Sequence, residues 1–414
     1  MQIQKHRFFY GWVIVAAAFV VLVVAGGTFY TFGVFFEPLC NDFHWTRATT
    51  AGAFSLYLIV HGIVGIVAGR FTDKHGPRLV VGSCAIFLAV GYLLLSYIGT
   101  VWQLYLSYGI FIGVGMCGAW IPQAVTITKW FVTKRGMALG IVAAGSGIGQ
   151  LIFPLLARHI ISTDGWRMGY FIMGIAALIF IGIASLFLKG APEQAGLSPY
   201  GAEQVEHTNS SEGNIADETE WTLPQAVKTR AFWGFGAMYI LFGFGYVVPF
   251  VHVVAHATDI GISSMSAAGI LSLIGIGGIA GRLTMGAVSD KIGRKMAISI
   301  CLAMVGISII WLLIADQVWM FYLFGAVFGF CYGGTIPSLS ALCGEFFGLR
   351  SMGTIYGTLI LFFTIGAAIS APLAGYMFDV TSSYHPAFLF GGLTSLLAAA
   401  ITFRFLKPPR PVLS

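Results

Sequence analysis

The stretch Gly277–Lys295 reads GGIAGRLTMGAVSDKIGRK, and the rest of the chain is organised around it. Its first half is apolar and glycine-rich but contains Arg282, and its second half is a short basic loop around Asp290. In a continuous helix Arg282 would lie about 12 Å from Asp290, which is inside a bilayer if the segment spans one. An unpaired guanidinium there costs at least ~2.5–3.5 kcal/mol, so such residues normally face a cavity or a partner. We therefore expect Arg282 to bind an anionic ligand.

Composition places the chain in a membrane. Of its 414 residues, 57% are hydrophobic and 9% are charged, whereas an ordinary soluble domain is roughly 25% charged. The net charge of +6 could suggest a nucleic-acid partner, but the basic residues form short clusters between apolar runs. We therefore expect a lipid bilayer and no nucleic acid as partner. The six cysteines have no metal-site or disulfide spacing, and no metal or cofactor is expected.

Twelve apolar runs are long enough to cross a bilayer. They cover about 8–36, 48–70, 79–99, 102–128, 136–158, 168–189, 231–256, 264–288, 296–314, 318–343, 352–378 and 385–406. The first run is too long for a signal peptide and lacks a small-residue cleavage pattern, so it is expected to be retained. The fold class predicted is an all-α membrane protein with twelve transmembrane helices.

Charge distribution predicts the orientation and the domains. With both termini in the cytoplasm, most basic residues fall on the cytoplasmic side, as the positive-inside rule requires. Residues 190–226 are polar, acidic and rich in Gly, Ser and Pro, which predicts a cytoplasmic linker with little reason to form a core. The chain would then divide into an N-terminal half, 1–189, and a C-terminal half, 227–414. Without targeting extensions, a prokaryotic inner membrane is the expected location.

The two halves repeat each other. GRFTDKHGPR (Gly69–Arg78) matches GAVSDKIGRK (Gly286–Lys295) at an offset of 217, and Gly113 maps to Gly329 at 216. Such a period predicts two pseudo-symmetric six-helix halves that meet at a central site. A carboxylate at a helix end can accept hydrogen bonds from basic residues and cap the next helix. The repeated loops are therefore expected to gate the conformational change through Gly69, Asp73, Arg78, Gly286, Asp290 and Arg294.

These paired loops resemble the signature of the major facilitator superfamily. FYGWVIVAAAF, FGVFFEPL, RGMALGIVAAGSGIG, GEFFGLRSMGTIYGTLIL and APLAGYMFDVTSSY are similar to its monocarboxylate transporter and oxalate–formate antiporter branch. The resemblance covers nearly the whole chain outside the linker. It implies the major facilitator fold, solute transport by alternating access, and a carboxylate-binding role for Arg282.

Two positions depart from the family pattern. Oxalate-type members carry a lysine where this chain has Leu359, so a second fixed cation for a dicarboxylate is missing. Animal lactate transporters carry an aspartate, implicated in proton coupling, where this chain has Gly278. The identity of the proton carrier is therefore left open.

The remaining candidate site residues each have a purely structural explanation as an alternative. His252 follows Pro249 in the seventh span, where related bacterial sequences often carry a histidine; it is a candidate for substrate binding and proton coupling, or a packed core residue. His256, one turn later, is expected to be solvated. The resemblance implies that three aromatic residues line the central cavity, although they could equally be core or lipid-facing: Tyr332, Trp120 and Tyr30.

The sequence lacks the Walker, HExxH, GxSxG and CxxC motifs, so we expect neither an enzyme nor catalytic residues. The function predicted is secondary active transport of a small monocarboxylate of the lactate, pyruvate, formate or acetate type. The partners are then the organic anion and a proton or counter-anion, with a functional monomer. The alternatives are an oxalate/formate-type exchanger and a nutrient sensor built on a transporter scaffold.

Overall fold

The computed structural model describes residues 9–45, 47–202 and 220–408. These residues form a helical bundle in which twelve helices match the predicted spans in order. They are α1 (Gly11–Tyr30, continued after Thr31 by Phe32–Phe43), α2 (Arg47–His75), α3 (Pro77–Leu95), α4 (Val101–Trp130), α5 and α6 (together Arg135–Phe187), α7 (Arg230–Asp259), α8 (Ser264–Ile292), α9 (Arg294–Trp311), α10 (Val318–Phe347), α11 (Met352–Thr381) and α12 (His385–Phe405). The prediction of an all-α membrane protein is confirmed: eleven helical segments of the described residues are long and apolar enough to cross a membrane, and the longest of them covers two of the twelve predicted spans.

Two of these spans form one continuous helical segment. Arg135–Phe187 is 53 residues long, and it bends at Gly165, where φ is 83° and ψ is 166°. Glycine adopts a positive φ without the steric penalty that a Cβ atom brings. Before the bend α5 covers residues 135–164, and after it α6 covers 166–187.

The repeated motifs end helices rather than forming loops. The expectation of a short basic loop around Asp290 is wrong, because α8 continues to Ile292 and Asp290 lies in its last turn. Asp73 likewise lies in the last turn of α2. The chain reverses at Gly76 and Gly293, whose φ values are 83° and 86°. Both carboxylates are therefore held rigidly at the end of a helix.

Glycines allow the helices to approach closely, in the same way in both halves. In the N-terminal half α1 and α5 meet where Gly145 contacts the Phe19 carbonyl and Gly149 contacts the Val23 carbonyl. In the C-terminal half α7 and α11 meet where Gly243 contacts the Phe363 carbonyl. A side chain at any of these positions would separate the helices, since small residues are what permits such contact in a membrane.

Two helix pairs join the halves. Gly136 and Gly140 of α5 lie against α8, and Gly69 of α2 lies against the backbone of Gly353 at the start of α11. These contacts lie at the end of the bundle that carries the repeated motifs, which we call the basic end. The glycines of α5 therefore allow close contact with two neighbouring helices, because Gly145 and Gly149 face α1 whereas Gly140 and Gly147 face α8.

The described ends of the linker pack onto the helices. Tyr200 donates its backbone N–H to the Trp130 carbonyl at 2.9 Å, and its ring contacts Phe9, Trp12 and Phe131. At the other end Trp221, which is buried, donates its backbone N–H to the Phe347 carbonyl at 3.1 Å. The remaining linker residues, 203–219, lie outside the described part of the chain.

Candidate functional site

The site forms around Arg282, which glycines on α8 bring close to two other helices. Gly277 and Gly281 contact backbone carbonyls of α10, so that the two helices touch along their lengths. On the opposite side, a Cβ atom placed on Gly147 of α5 would lie 2.6 Å from Nη1 of Arg282. The guanidinium therefore lies at the contact between the two halves, because α5 and α8 belong to different halves.

Arg282 is buried without a counter-ion among the described side chains. Its exposed fraction is 3%, and its Nε atom has no hydrogen-bond partner. Its guanidinium carbon lies 5.9 Å from the centre of the Tyr332 ring. The ion pairs formed by described residues involve Arg167 and Arg294 but not Arg282. A guanidinium has five N–H donors, and at this site they can serve a bound anion.

Three tyrosines surround this guanidinium. Tyr30 of α1 and Tyr332 of α10 were both predicted as cavity residues, and their hydroxyls interact with each other. Tyr246 of α7 interacts with both, and its ring stacks on Tyr332 with centroids 4.2 Å apart. Sequence reasoning missed Tyr246, although the repeat offset of 216 that pairs Gly113 with Gly329 also pairs Tyr30 with Tyr246.

Trp120 lies at the break in α4 that precedes Pro122. Its indole N–H donates to the hydroxyl of Tyr356 on α11 at 2.7 Å, so this hydrogen bond crosses between the halves. Tyr356 is four residues after the start of α11, which places the bond about 6 Å from that end of the helix. Trp120 and Tyr356 therefore lie between the arginine and the basic end of the bundle.

His252 lies in the part of α7 that is farther from the basic end. Its ring lies 5.2 Å from that of Tyr384, beside the start of α12. Six residues separate it from Tyr246, which is about 9 Å along α7, away from the basic end.

The expectation that His256 is solvated is wrong. The residue is 5% exposed, and its ring contacts Phe321, His385 and Phe388. Aromatic side chains of α10 and α12 thus exclude the water that the sequence led us to expect.

The two motif carboxylates cap helices of the opposite half. Asp73 accepts the backbone N–H groups of Gly353 and Thr354 at 2.8 and 2.9 Å, and the Thr354 hydroxyl at 2.9 Å. Asp290 accepts the N–H groups of Gly136 and Met137 at 2.9 and 3.0 Å. Capping was predicted for the next helix along the chain, but the capped helices are α11 and α5. A carboxylate fits there because the first N–H groups of a helix have no intrahelical partner.

The basic partners of these carboxylates differ between the halves. Arg294 donates to Asp290 at 3.0 Å and also pairs with Glu345 of α10. In the repeat the position of Arg294 corresponds to Pro77. Arg78, which corresponds to Lys295, is exposed and forms no ion pair with a described carboxylate. Gly69 and Gly286 behave alike, since each contacts the first turn of the capped helix. The repeat therefore places a carboxylate at the end of both α2 and α8, whereas the arginine that pairs with Asp290 is replaced by Pro77 in the N-terminal half.

Among the described residues, no group of three or more His, Cys, Asp or Glu side chains is placed to hold a metal ion.

Comparison with known proteins identifies the family. A model described as Major Facilitator Superfamily matches residues 18–287 and 234–414. The rat protein named Monocarboxylate transporter 13 is 26% identical over 399 residues, which is 95% of this chain and 88% of the rat protein. An Escherichia coli (strain K12) protein named Uncharacterized MFS-type transporter YhjX is 26% identical over 356 residues, 84% of each protein.

Solved structures agree on the fold. The proton:xylose symporter XylE, bound to 6-bromo-6-deoxy-D-glucose, superposes with a TM-score of 0.75 at 16% identity and covers 96% of both chains. At that identity the likeness concerns the fold alone. The homologues are transporters and not enzymes. The chain therefore belongs to the Major Facilitator Superfamily, and its relatives there include the monocarboxylate transporters whose branch the sequence resembles.

Proposed function

We propose that this transporter carries a small monocarboxylate by alternating access and that Arg282 binds the carboxylate. The observation behind the proposal is a buried guanidinium at the contact between the halves with no described carboxylate beside it. Burying a charge without a partner is costly, and a cargo anion would remove that cost. Relatives named monocarboxylate transporters support the same substrate class.

The side chains around Arg282 favour one carboxylate rather than two. The guanidinium can hold a carboxylate through two parallel hydrogen bonds, and the hydroxyls of Tyr30, Tyr246 and Tyr332 can donate to the same ligand. Leu359 is apolar and fully buried, so it offers no second cation. A dicarboxylate such as oxalate would bring one charge that this arrangement leaves unbalanced. An oxalate/formate-type exchanger is therefore the less favoured function.

Binding is proposed to drive the conformational cycle. With Asp73 and Asp290 capping helices of the opposite half, the basic end is closed. The anion would neutralise Arg282 and stabilise an occluded state, after which 1–189 and 227–414 would rock as two bodies. Proton symport is the proposed coupling, with His252 or a protonated substrate as carrier. Anion exchange is the second possibility.

We also propose that the basic end, with both termini, faces the cytoplasm of a prokaryotic cell. Lys74, Lys129, Lys134 and Lys291 belong to the loops and helix ends at this side, and the positive-inside rule assigns such clusters to the cytoplasm.

The direct test is uptake of labelled lactate into proteoliposomes by an Arg282→Gln variant. Loss of a charged, two-point hydrogen-bonded contact should lower uptake by about a hundredfold or more. Arg158→Gln is the matched control, because that arginine is exposed near the far end of α5, and its uptake should stay normal. Near-normal uptake by folded Arg282→Gln protein would remove the proposal.

Two further measurements divide the alternatives. If oxalate competes with labelled lactate as strongly as pyruvate does, the result favours the exchanger. Uptake that follows an imposed pH gradient without any internal anion would favour proton symport over exchange.

A further inference from the structure

A recess opens on the lipid-facing side of the N-terminal half, away from Arg282. It lies between α2 and α3, with α4 as its floor, and its volume is about 550 Å³. The inner lining of the recess includes small or short side chains, namely Ala68, Ser83, Cys84 and Cys117. The rim is formed by larger exposed side chains, namely Val67, Phe71, Leu79 and Phe87. We call this recess the α2–α3 groove.

The repeat gives a physical reason for the open space of the groove. Position 285 of α8 corresponds to position 68 of α2 at the offset of 217, and position 334 of α10 corresponds to position 118 of α4 at the offset of 216. In the C-terminal half Met285 packs over Gly334, with its Cγ 2.7 Å from where a Cβ of that glycine would lie. In the N-terminal half alanine replaces this methionine. The space that a protein side chain fills in one half is therefore left open to the bilayer in the other.

The mouth of the groove is basic. His75 lines its end and stacks on Phe71, with ring centroids 5.4 Å apart. Lys74 is exposed beside it. Asp73, the acidic residue of this turn, points the other way and caps α11. The apolar α2–α3 groove thus leads to a positively charged region at the end of the helices.

We propose that the α2–α3 groove binds an anionic glycerophospholipid, with an acyl chain in the slot and the phosphate at Lys74 and His75. An apolar recess open to hydrocarbon would gain packing contacts from a chain. Basic residues at the end of membrane helices attract anionic headgroups, and basic pockets between such helices bind them selectively. The groove has no side chain of the transport site in its lining, so the proposal does not depend on the cargo.

Native mass spectrometry of the detergent-purified protein can test this proposal. The probes are phosphatidylglycerol and phosphatidylcholine, supplied in equal amounts to the delipidated protein. We expect one tightly retained phosphatidylglycerol, bound more tightly than phosphatidylcholine by about fivefold or more, as one or two headgroup contacts would give. Equal retention of the two lipids would overturn the headgroup assignment.

Variants locate the bound lipid. Ala68→Met copies the side chain of the opposite half into the groove and should abolish the retained lipid. Ala400→Met makes the same change on the exposed face of α12 and should leave it unchanged. Lys74→Gln combined with His75→Gln should remove the preference for phosphatidylglycerol while weaker binding of both lipids persists.

Unchanged retention by folded Ala68→Met protein would refute the site. Should that variant fail to fold, Ser83→Phe fills the same recess from α3 and serves in its place. Retention by folded Ser83→Phe protein equal to that of Ala400→Met would refute the site equally.

Discussion

At the scale of single residues, Arg282 and the glycines around it decide what the central site can do. Arg282 lacks a described counter-ion because position 278, one turn earlier on α8, carries glycine. A Cβ atom at Gly278 would lie 3.7 Å from Nη1 of Arg282, so a side chain there would reach the guanidinium. The absence of a carboxylate at 278 keeps the arginine available for cargo in our proposal.

Gly278→Asp should therefore weaken anion binding near neutral pH. The new carboxylate would form an internal ion pair with Arg282, and the loss of a charge-assisted contact of about 1.5–3 kcal/mol corresponds to roughly 10–100-fold in lactate affinity. Acidification should restore binding, because protonation neutralises the added carboxylate. Direct binding of labelled lactate across a pH series checks both effects.

The neutral variant Gly278→Asn is the matched control, since it has nearly the same shape and no charge. Comparison of the two variants at the same pH also removes any pH dependence that belongs to lactate itself. Equal affinities of the two variants at every pH would mean that the cargo does not compete for Arg282.

At the scale of helices, carboxylates at the ends of α2 and α8 connect the two halves at the basic end. Each accepts hydrogen bonds from the first turn of a helix in the other half. An N-terminal cap of this kind contributes about 0.5–2 kcal/mol. Because α5 and α11 are capped by different halves, we expect opening of the basic end in the proposed cycle to break both caps together.

Asp73→Ala should thus raise amide hydrogen exchange at the starts of both α11 and α5. Loss of about 1–2 kcal/mol corresponds to a roughly 5–30-fold larger open population. Hydrogen-exchange mass spectrometry of the peptides containing Gly353 and Gly136 measures the amide exchange at these two helix starts. Asp316→Ala, an exposed change between α9 and α10, should leave both peptides unaffected. An increase confined to the α11 peptide would show that Asp73 is a local cap and not a gate.

At the scale of the whole molecule, two six-helix halves meet around one site and are joined by a linker. Each described end of the linker packs on the half to which it is attached. Tyr200 is bonded to the end of α4, and Trp221 to the end of α10. Neither attachment crosses between the halves. The contacts between the halves include those of α2 with α11, of α5 with α8, and of Trp120 with Tyr356.

Cutting the linker should therefore leave a working transporter. A protease site inserted within residues 203–219, cleaved after purification, should give two fragments that co-elute and retain most of the lactate uptake. The uncut protein with the same insertion is the control. Separation of the fragments, or loss of uptake on cleavage alone, would show that the covalent connection supports the halves and would contradict our division into 1–189 and 227–414.

The sequence by itself determined the number and order of the helices, the repeat, the superfamily and the unusual arginine. These follow from local physics, since bilayer thickness sets the length of an apolar run and a buried guanidinium needs a partner. The repeat also singled out Asp73 and Asp290, which cap helices of the opposite half.

The tertiary structure alone decided which groups meet. It placed the caps on the opposite half, brought Tyr246 to the arginine, buried His256 and opened a lipid-facing groove where Ala68 replaces the methionine of the repeat. Each of these outcomes depends on how helices distant in sequence rotate and pack against one another. Hydrophobicity along one helix does not encode that rotation, because lipid and protein surroundings are equally apolar.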